Sequence, residues 1–468
     1  MSEPSKTDEP AGDDAGGSAF SLAVSLAFVA CFMACWFLNR SVPGGSWALP
    51  LMFFEVCVIS IVIWQVCDPF ADAAQWVGDR FRLPGSVRGA TLDAIASSMP
   101  ELFSGVFFVV LAISAAKSGD ASASSQAIID AGAEGFGATI ATCAGSAVYN
   151  MILIPAFCAL VISYTRPERP TIDVEDEVIS RDGVWFLCTQ FLLILFLFQA
   201  QMMWWMGVCF LALYAVYIGQ LYLDAVLYRK KRVALNAYFG QQGSESPVRE
   251  IMSAMRDQGV RISAALVMKA QEEFAEEDDQ EDEKNSHSAG IFFGFFDVHL
   301  NGMTTIVVLL VSTILAAAAC YFLVEATIET AEILNVPAFF VAVILAAAAS
   351  SVPDTFLAIA AARRGDDSGA VSNAFGSNIF DICICLSIPL LINSWLTGWE
   401  PVSLLQDGEP IKGLVGLRIL LAVLTIVNLA IMWHNRQITR KKAYVMCGLY
   451  VVFVGYAVLG SLGITDIG

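Results

Sequence analysis

The feature that most constrains this chain is a series of apolar runs, each close to the ~20 residues a helix needs to cross the hydrocarbon of a bilayer. They begin near Ala19, Leu51, Gly89, Phe136, Val184 and Trp204 and, after a polar interruption, near Met303, Pro337, Ala370, Leu414 and Ala443. Backbone in lipid must satisfy its own hydrogen bonds, so runs of this length predict helices. The expected fold is an all-α membrane protein with about 11 transmembrane helices. Composition agrees: 57% of residues are hydrophobic and 15% charged, whereas roughly a quarter are charged in soluble domains. The stretch 184–223 accommodates two helices, with a turn at Gln199-Ala200-Gln201 and an interfacial belt at Met203-Trp204-Trp205.

The formal charge of -19 describes loops, because the acids gather in the N-terminal tail and in residues 272–283. The acidic stretch lacks EF-hand spacing and reads as a solvated linker. The 12 cysteines are scattered through apolar runs without CxxC spacing, as small core hydrophobes are. His287, His299 and His434 are far apart, so neither a zinc motif nor a Ser/His/Asp arrangement is present.

Residues 1–17 are acidic and Gly/Ser-rich, lack the basic start of a secretory signal, and predict a disordered tail. An extra N-terminal helix and linker occupy 18–47, a first five-helix unit 48–228, a cytoplasmic loop 229–300, and a second five-helix unit 301–468. The loop begins Arg229-Lys230-Lys231-Arg232 against a membrane helix, which places it inside. Alternation then puts Arg80, Arg82, Arg88, Arg363, Arg364, Arg436, Arg440, Lys441 and Lys442 inside as well.

Two motifs recur in the same order in the two halves. Ala96-Ser97-Ser98-Met99-Pro100-Glu101 matches Ala349-Ser350-Ser351-Val352-Pro353-Asp354, and Gly145-Ser146-Ala147-Val148-Tyr149-Asn150 matches Gly376-Ser377-Asn378-Ile379-Phe380-Asp381. With five helices per unit, an odd number, the second copy enters the bilayer in the opposite sense, giving two inverted repeats. Such repeats place a binding site at their interface near the midplane, where interrupted helices expose carbonyls and helix ends. Each Ser-Ser-x-Pro-acid segment suits an interruption, since proline removes a donor and frees a carbonyl one turn earlier.

An acid at a helix centre costs about 2.5–3.5 kcal/mol on insertion scales. No Lys or Arg lies near Glu101 or Asp354 within these runs, so a bound cation is the expected counter-charge. Calcium, with its 6–8 oxygen ligands, suits carboxylates, hydroxyls and carbonyls together. The alternative is a protonated acid hydrogen-bonded to a neighbouring helix, with Pro and Ser acting only as kinks.

On these residues the chain resembles the calcium/cation antiporter superfamily, and within it the potassium-dependent sodium/calcium exchangers. Val66-Cys67-Asp68, the two repeated motifs, Arg181-Asp182, Trp204-Trp205 and the final helices carry the resemblance. It implies calcium ligands Glu101 and Asp354 with the carbonyls of Ala94 and Ala347. Sodium would use the same cage through Ser97, Ser98, Ser146, Asn150, Ser350, Ser351 and Ser377, with Asn378 nearby. Asp381, which stands where potassium-independent animal exchangers carry Asn, would serve potassium, although a single acid there also suits a proton. Departures from the family are Ala96 and Ala349 in place of glycine, bulky Ile95 and Met99, and Asp93 at a usually apolar position. Asp93 is either an extra site acid or a helix-end carboxylate.

The first unit also carries a polar insertion, 117–134, where the second has only the short turn 363–367. It is read as a tolerated external loop.

The expected function is calcium-for-sodium antiport with potassium co-transport, by alternating access. No cofactor and no nucleic-acid partner is expected, only inorganic cations and the bilayer, in the plasma membrane or an endomembrane. A proton/calcium exchanger of the same superfamily is the near alternative. An intramembrane aspartyl protease is the distant one, and its Tyr-Asp and Gly-x-Gly-Asp motifs are absent.

Overall fold

The computed structural model describes residues 13–41, 47–81, 83–119, 124–167, 169–174, 178–243, 246–257, 288–406 and 413–462, with isolated positions between 259 and 271 and at 409–410. Among these residues, 11 helices are long and apolar enough to cross a membrane. They are α1 (Asp13–Ser41), α2 (Ala48–Arg80), α3 (Gly89–Ser118), α4 (Ser125–Thr165), α5 (Ile179–Leu197), α6 (Trp204–Gln242), α7 (Gly302–Leu334), α8 (Ala338–Arg363), α9 (Asp367–Leu396), α10 (Leu414–Arg436) and α11 (Arg440–Ser461). Most of tail 1–17 and the acidic stretch 272–283 lie outside the described residues.

Helix ends follow local chemistry. Ser124 caps α4 by accepting from Ala127 N at 3.2 Å. Asn301 and Thr304 form a reciprocal capping box at the start of α7, and Asn335 closes that helix in the left-handed region at φ 53°. The turn between α5 and α6 falls at 198–203, where the sequence placed it. Three boundaries differ from expectation. Helix α4 starts at Ser125, so much of the polar insertion is helical. Helix α6 runs on to Gln242, beyond the basic cluster at 229–232, because that extension buries Leu235, Tyr238 and Phe239 against Ile251 and Met255 of a short helix, Val248–Asp257. The end of the central segment forms a hairpin, Ser288–Ile291 with Phe296–His299, docked on α2 through Gly290 N to Asp72 Oδ2 at 3.1 Å and Phe293 N to Gln65 Oε1 at 2.6 Å.

Helix α4 is the centre of the bundle: 78% of its apolar window is buried, against 11% for α1, which packs only at the periphery along α2. Small residues allow α4 to sit so deep. A Cβ on Gly145 would lie 2.2 Å from Val343 O of α8, and one on Gly376 of α9 would lie 2.8 Å from Ala90 O of α3. Gly145 and Gly376 are matched motif positions, and Ala90 and Val343 each stand 11 residues before their motif acid. Each half therefore presses its glycine onto the backbone of the equivalent residue in the other.

The matched helices are also irregular at matched places. A π-helical turn, Gly89–Asp93, opens α3, and another, Ala342–Ala346, lies at the equivalent depth of α8. The expected interruption at the Pro motif occurs only in the second copy. Helix α8 breaks at Ser351 (φ -87°, ψ 1°), with Pro353 in the first turn of the following segment, whereas α3 is continuous through Pro100. The residue before proline resists the helical region, and β-branched Val352 resists it more than unbranched Met99.

Candidate cation site

Glu101, Asp354 and Asp381 are all fully buried, as are Ser97, Ser98, Ser146, Asn150, Ser350, Ser351, Ser377 and Asn378. Four helices bring them together: α3 carries the first acid, α8 the second, and the centres of α4 and α9 carry the Gly-Ser motifs.

The two halves repeat the same bond. Ser146 Oγ lies 3.1 Å from Glu101 Oε1 in the first, and Ser377 Oγ donates to Asp354 Oδ1 at 2.7 Å in the second. Bonds then cross between halves. Ser146 Oγ and Ser351 Oγ are 2.9 Å apart, Ser97 Oγ and Ser377 Oγ 3.2 Å, Ser351 Oγ donates to Glu101 Oε1 at 3.2 Å, and Asn378 Nδ2 donates to Ala147 O at 3.2 Å. Ser146 also lies 2.9 Å from Asp381 Oδ2 and accepts from Asn150 Nδ2 at 3.2 Å.

The cluster is short of protons. Ser146 has one hydroxyl proton, yet its oxygen lies within bonding range of two carboxylates, Glu101 and Asp381. Glu101 Oε2, Asp354 Oδ2 and Asn150 Oδ1 are buried with no hydrogen-bond partner. Among the described residues no Lys or Arg is ion-paired with any of the three acids. Unpaired buried acceptors of this kind are costly, and a cation satisfies several at once. No three acidic, His or Cys side chains close tightly enough among the described residues to hold an ion alone, so hydroxyl, amide and carbonyl oxygens would complete its shell. The carbonyls of Ala94 and Ala347 each accept a serine hydroxyl, Ser97 at 3.3 Å and Ser350 at 3.2 Å.

A model of the sodium/calcium exchanger protein family matches residues 49–223 and 304–459, most of the chain and both halves of this site. The chain belongs to that family. This exchanger is 24% identical to sodium/potassium/calcium exchanger 5 of Homo sapiens over 460 residues, covering 88% of this chain and 84% of that protein. It is 29% identical to sodium/potassium/calcium exchanger 2 of Gallus gallus over 139 residues, 30% of this chain and 21% of that protein. Among solved structures it is similar to the crystal structure of the H+/Ca2+ exchanger CAX, with a TM-score of 0.54 at 14% identity, covering 96% of this chain and 92% of that one. At that identity the likeness is one of fold. The exchanger is a multi-pass integral membrane protein and a transporter, not an enzyme.

Asp93 touches the network only through its backbone, whose carbonyl accepts from Ser97 Oγ at 2.9 Å, while its carboxylate turns away: Oδ2 accepts from Arg88 Nε at 3.4 Å, and Arg88 Nη2 also reaches Asp366 at 3.3 Å. Two contributors escaped the sequence reading. Asn373 Nδ2 donates to Asp354 Oδ1 at 3.4 Å, and Cys385 Sγ lies 3.7 Å from Asp381 Oδ1. The i, i+4 spacing of Asn373 and Ser377 on one helix, and of Asp381 and Cys385 on the next turns, was the available signal.

Proposed function

We propose that this exchanger moves calcium against sodium through one cage of oxygens that either ion occupies, with potassium held beside Asp381. Glu101 and Asp354 are the principal calcium ligands, aided by the carbonyls of Ala94 and Ala347. Ser97, Ser98, Ser146, Asn150, Ser350, Ser351 and Ser377 supply the neutral oxygens sodium needs, with Asn378 nearby. The two halves act as inverted repeats and expose the cage to either side in turn. The reciprocal glycine contacts and paired π turns support this symmetry.

One observation carries the reading: two carboxylates, one from each half, are buried in one hydrogen-bonded cluster with an unpartnered oxygen on each, and among the described residues no Lys or Arg is ion-paired with either. A second reading, proton/calcium exchange, answers the same shortage with a proton on Glu101 or Asp381. Sodium-gradient-driven uptake of radioactive calcium into proteoliposomes tests the first. Glu101→Gln and Asp354→Asn are expected to abolish it in folded protein, and full uptake by both variants would remove the ligand assignment. Calcium flux under a pH gradient without sodium would favour the second reading.

A further inference from the structure

Beside the cluster, on the face whose Arg80, Arg88, Arg363 and Arg364 mark it as cytoplasmic, lies a second polar cavity of about 50 Å³. Asp68, Asp72, Gln75, Asp93, Arg364 and Asn373 line it. Asp93 is committed to Arg88 at 3.4 Å, and one oxygen of Asp72 accepts from Gly290 N at 3.1 Å. With Asp93 balanced by Arg88, the two carboxylates Asp68 and Asp72 against the one lining guanidinium, Arg364, leave the cavity electronegative. Low-dielectric walls focus such a field and concentrate counter-ions.

A cluster of acids alone would say little, but Asn373 gives this cavity a direction. The residue is only 2% exposed. Its Nδ2 donates to Asp354 Oδ1 at 3.4 Å, while its Oδ1 is buried without a hydrogen-bond partner. It therefore stands in the wall between cavity and cage, bonded to the cage acid and holding a spare amide oxygen, a ligand type that calcium accepts. No three acidic, His or Cys side chains among the described residues close around a bare ion here. At roughly 10–15 Å³ of such volume per water, the cavity has room for an ion that keeps part of its hydration shell.

We propose that this cavity is a staging site for a hydrated divalent cation on the cytoplasmic face, and that Asn373 passes the ion to Asp354. Asp68 and Asp72 attract and hold the hydrated ion. Arg364 opposes it and sets how tightly it is held. The proposal rests on the exchange reading above.

The test is calcium uptake by the full-length protein in vesicles of defined sidedness, with calcium varied on one face at a time. In the doubly isosteric variant Asp68→Asn/Asp72→Asn, the half-saturating calcium concentration at the cytoplasmic face should rise about 10-fold, the low end of the focusing effect. The maximal rate and the outer-face half-saturation should hold. Arg364→Gln should shift the cytoplasmic half-saturation the opposite way, downward, which a structural defect would not do. An unchanged cytoplasmic value in the double variant, equal shifts on both faces, or an upward shift in Arg364→Gln would each overturn the proposal. Absence of calcium flux in the wild type would instead sink the exchange reading, and this proposal with it.

Discussion

Adding one methyl group at Gly145 should cost both stability and transport. The Cβ of alanine would sit 2.7 Å from the Cβ of Ala347 and 2.2 Å from Val343 O, the latter about 1.2 Å short of the 3.4 Å at which ordinary contact begins. The carbonyl cannot rotate aside as a side chain could, so α4 and α8 must separate by about that distance. Overpacking of a tight core costs roughly 1–3 kcal/mol, and this clash against backbone belongs at the upper end. Ser146 is the next residue, and its contacts of 2.9 to 3.2 Å to Glu101, Ser351, Asp381 and Asn150 do not survive a 1 Å displacement as hydrogen bonds. A misplacement of about 1 Å at a working site can cost on the order of 10²-fold in rate. The assay pairs a thermal melt of purified Gly145→Ala, followed by size-exclusion chromatography in detergent, with calcium uptake per folded molecule. Gly219→Ala, with nothing within 4 Å of the new Cβ, is the control. If Gly145→Ala melts and transports like the control, the close approach that assembles the cage is wrong.

Other predictions follow from the same geometry. Gly376→Ala, whose Cβ meets Ala90 Cα at 2.6 Å, should reproduce the Gly145→Ala defect in a melt, because the two contacts are reciprocal. Asp381→Asn should remove the stimulation of sodium-driven calcium uptake by potassium, and a full potassium response in that variant would refute the assignment. Asp182 is fully buried, holds Arg181 through bonds of 2.7 and 2.8 Å, and accepts from Tyr217 Oη at 3.2 Å. Asp182→Ala takes away the nearest carboxylate from a buried guanidinium and should destabilise the fold by about 3–5 kcal/mol, read as a markedly lower melting temperature.

Much of this architecture was legible because lipid leaves the chain few options. Apolar runs of the right length had to be helices, and most begin within a few residues of where hydropathy placed them, as at Gly89, Trp204 and Leu414. Helix α4 is the exception, starting 11 residues before the Phe136 expected from hydropathy, because a Ser124 cap and helix-compatible polar residues extend it beyond the bilayer span. The gathering of Glu101, Asp354, Asp381 and the motif serines in one buried cluster was legible through duplication, since a motif repeated in order implies equivalent positions. Hydropathy carries no trace of the π turns at Gly89–Asp93 and Ala342–Ala346, which depend on how the backbone pays for close packing against the opposite half. The same limit applies to proline: Pro100 and Pro353 share a motif, yet only the second starts a new helical segment. Asn373 was passed over because it stands outside both motifs, one turn before Ser377.

The central claim, that an acid from each half jointly holds a divalent ion, is tested most directly by equilibrium binding of radioactive calcium to the purified protein, without any gradient or transport step. Saturable binding that sodium displaces, and that disappears in Glu101→Gln/Asp354→Asn while the melt still reports folded protein, is the expected result. Calcium binding of wild-type strength in that double variant would contradict it.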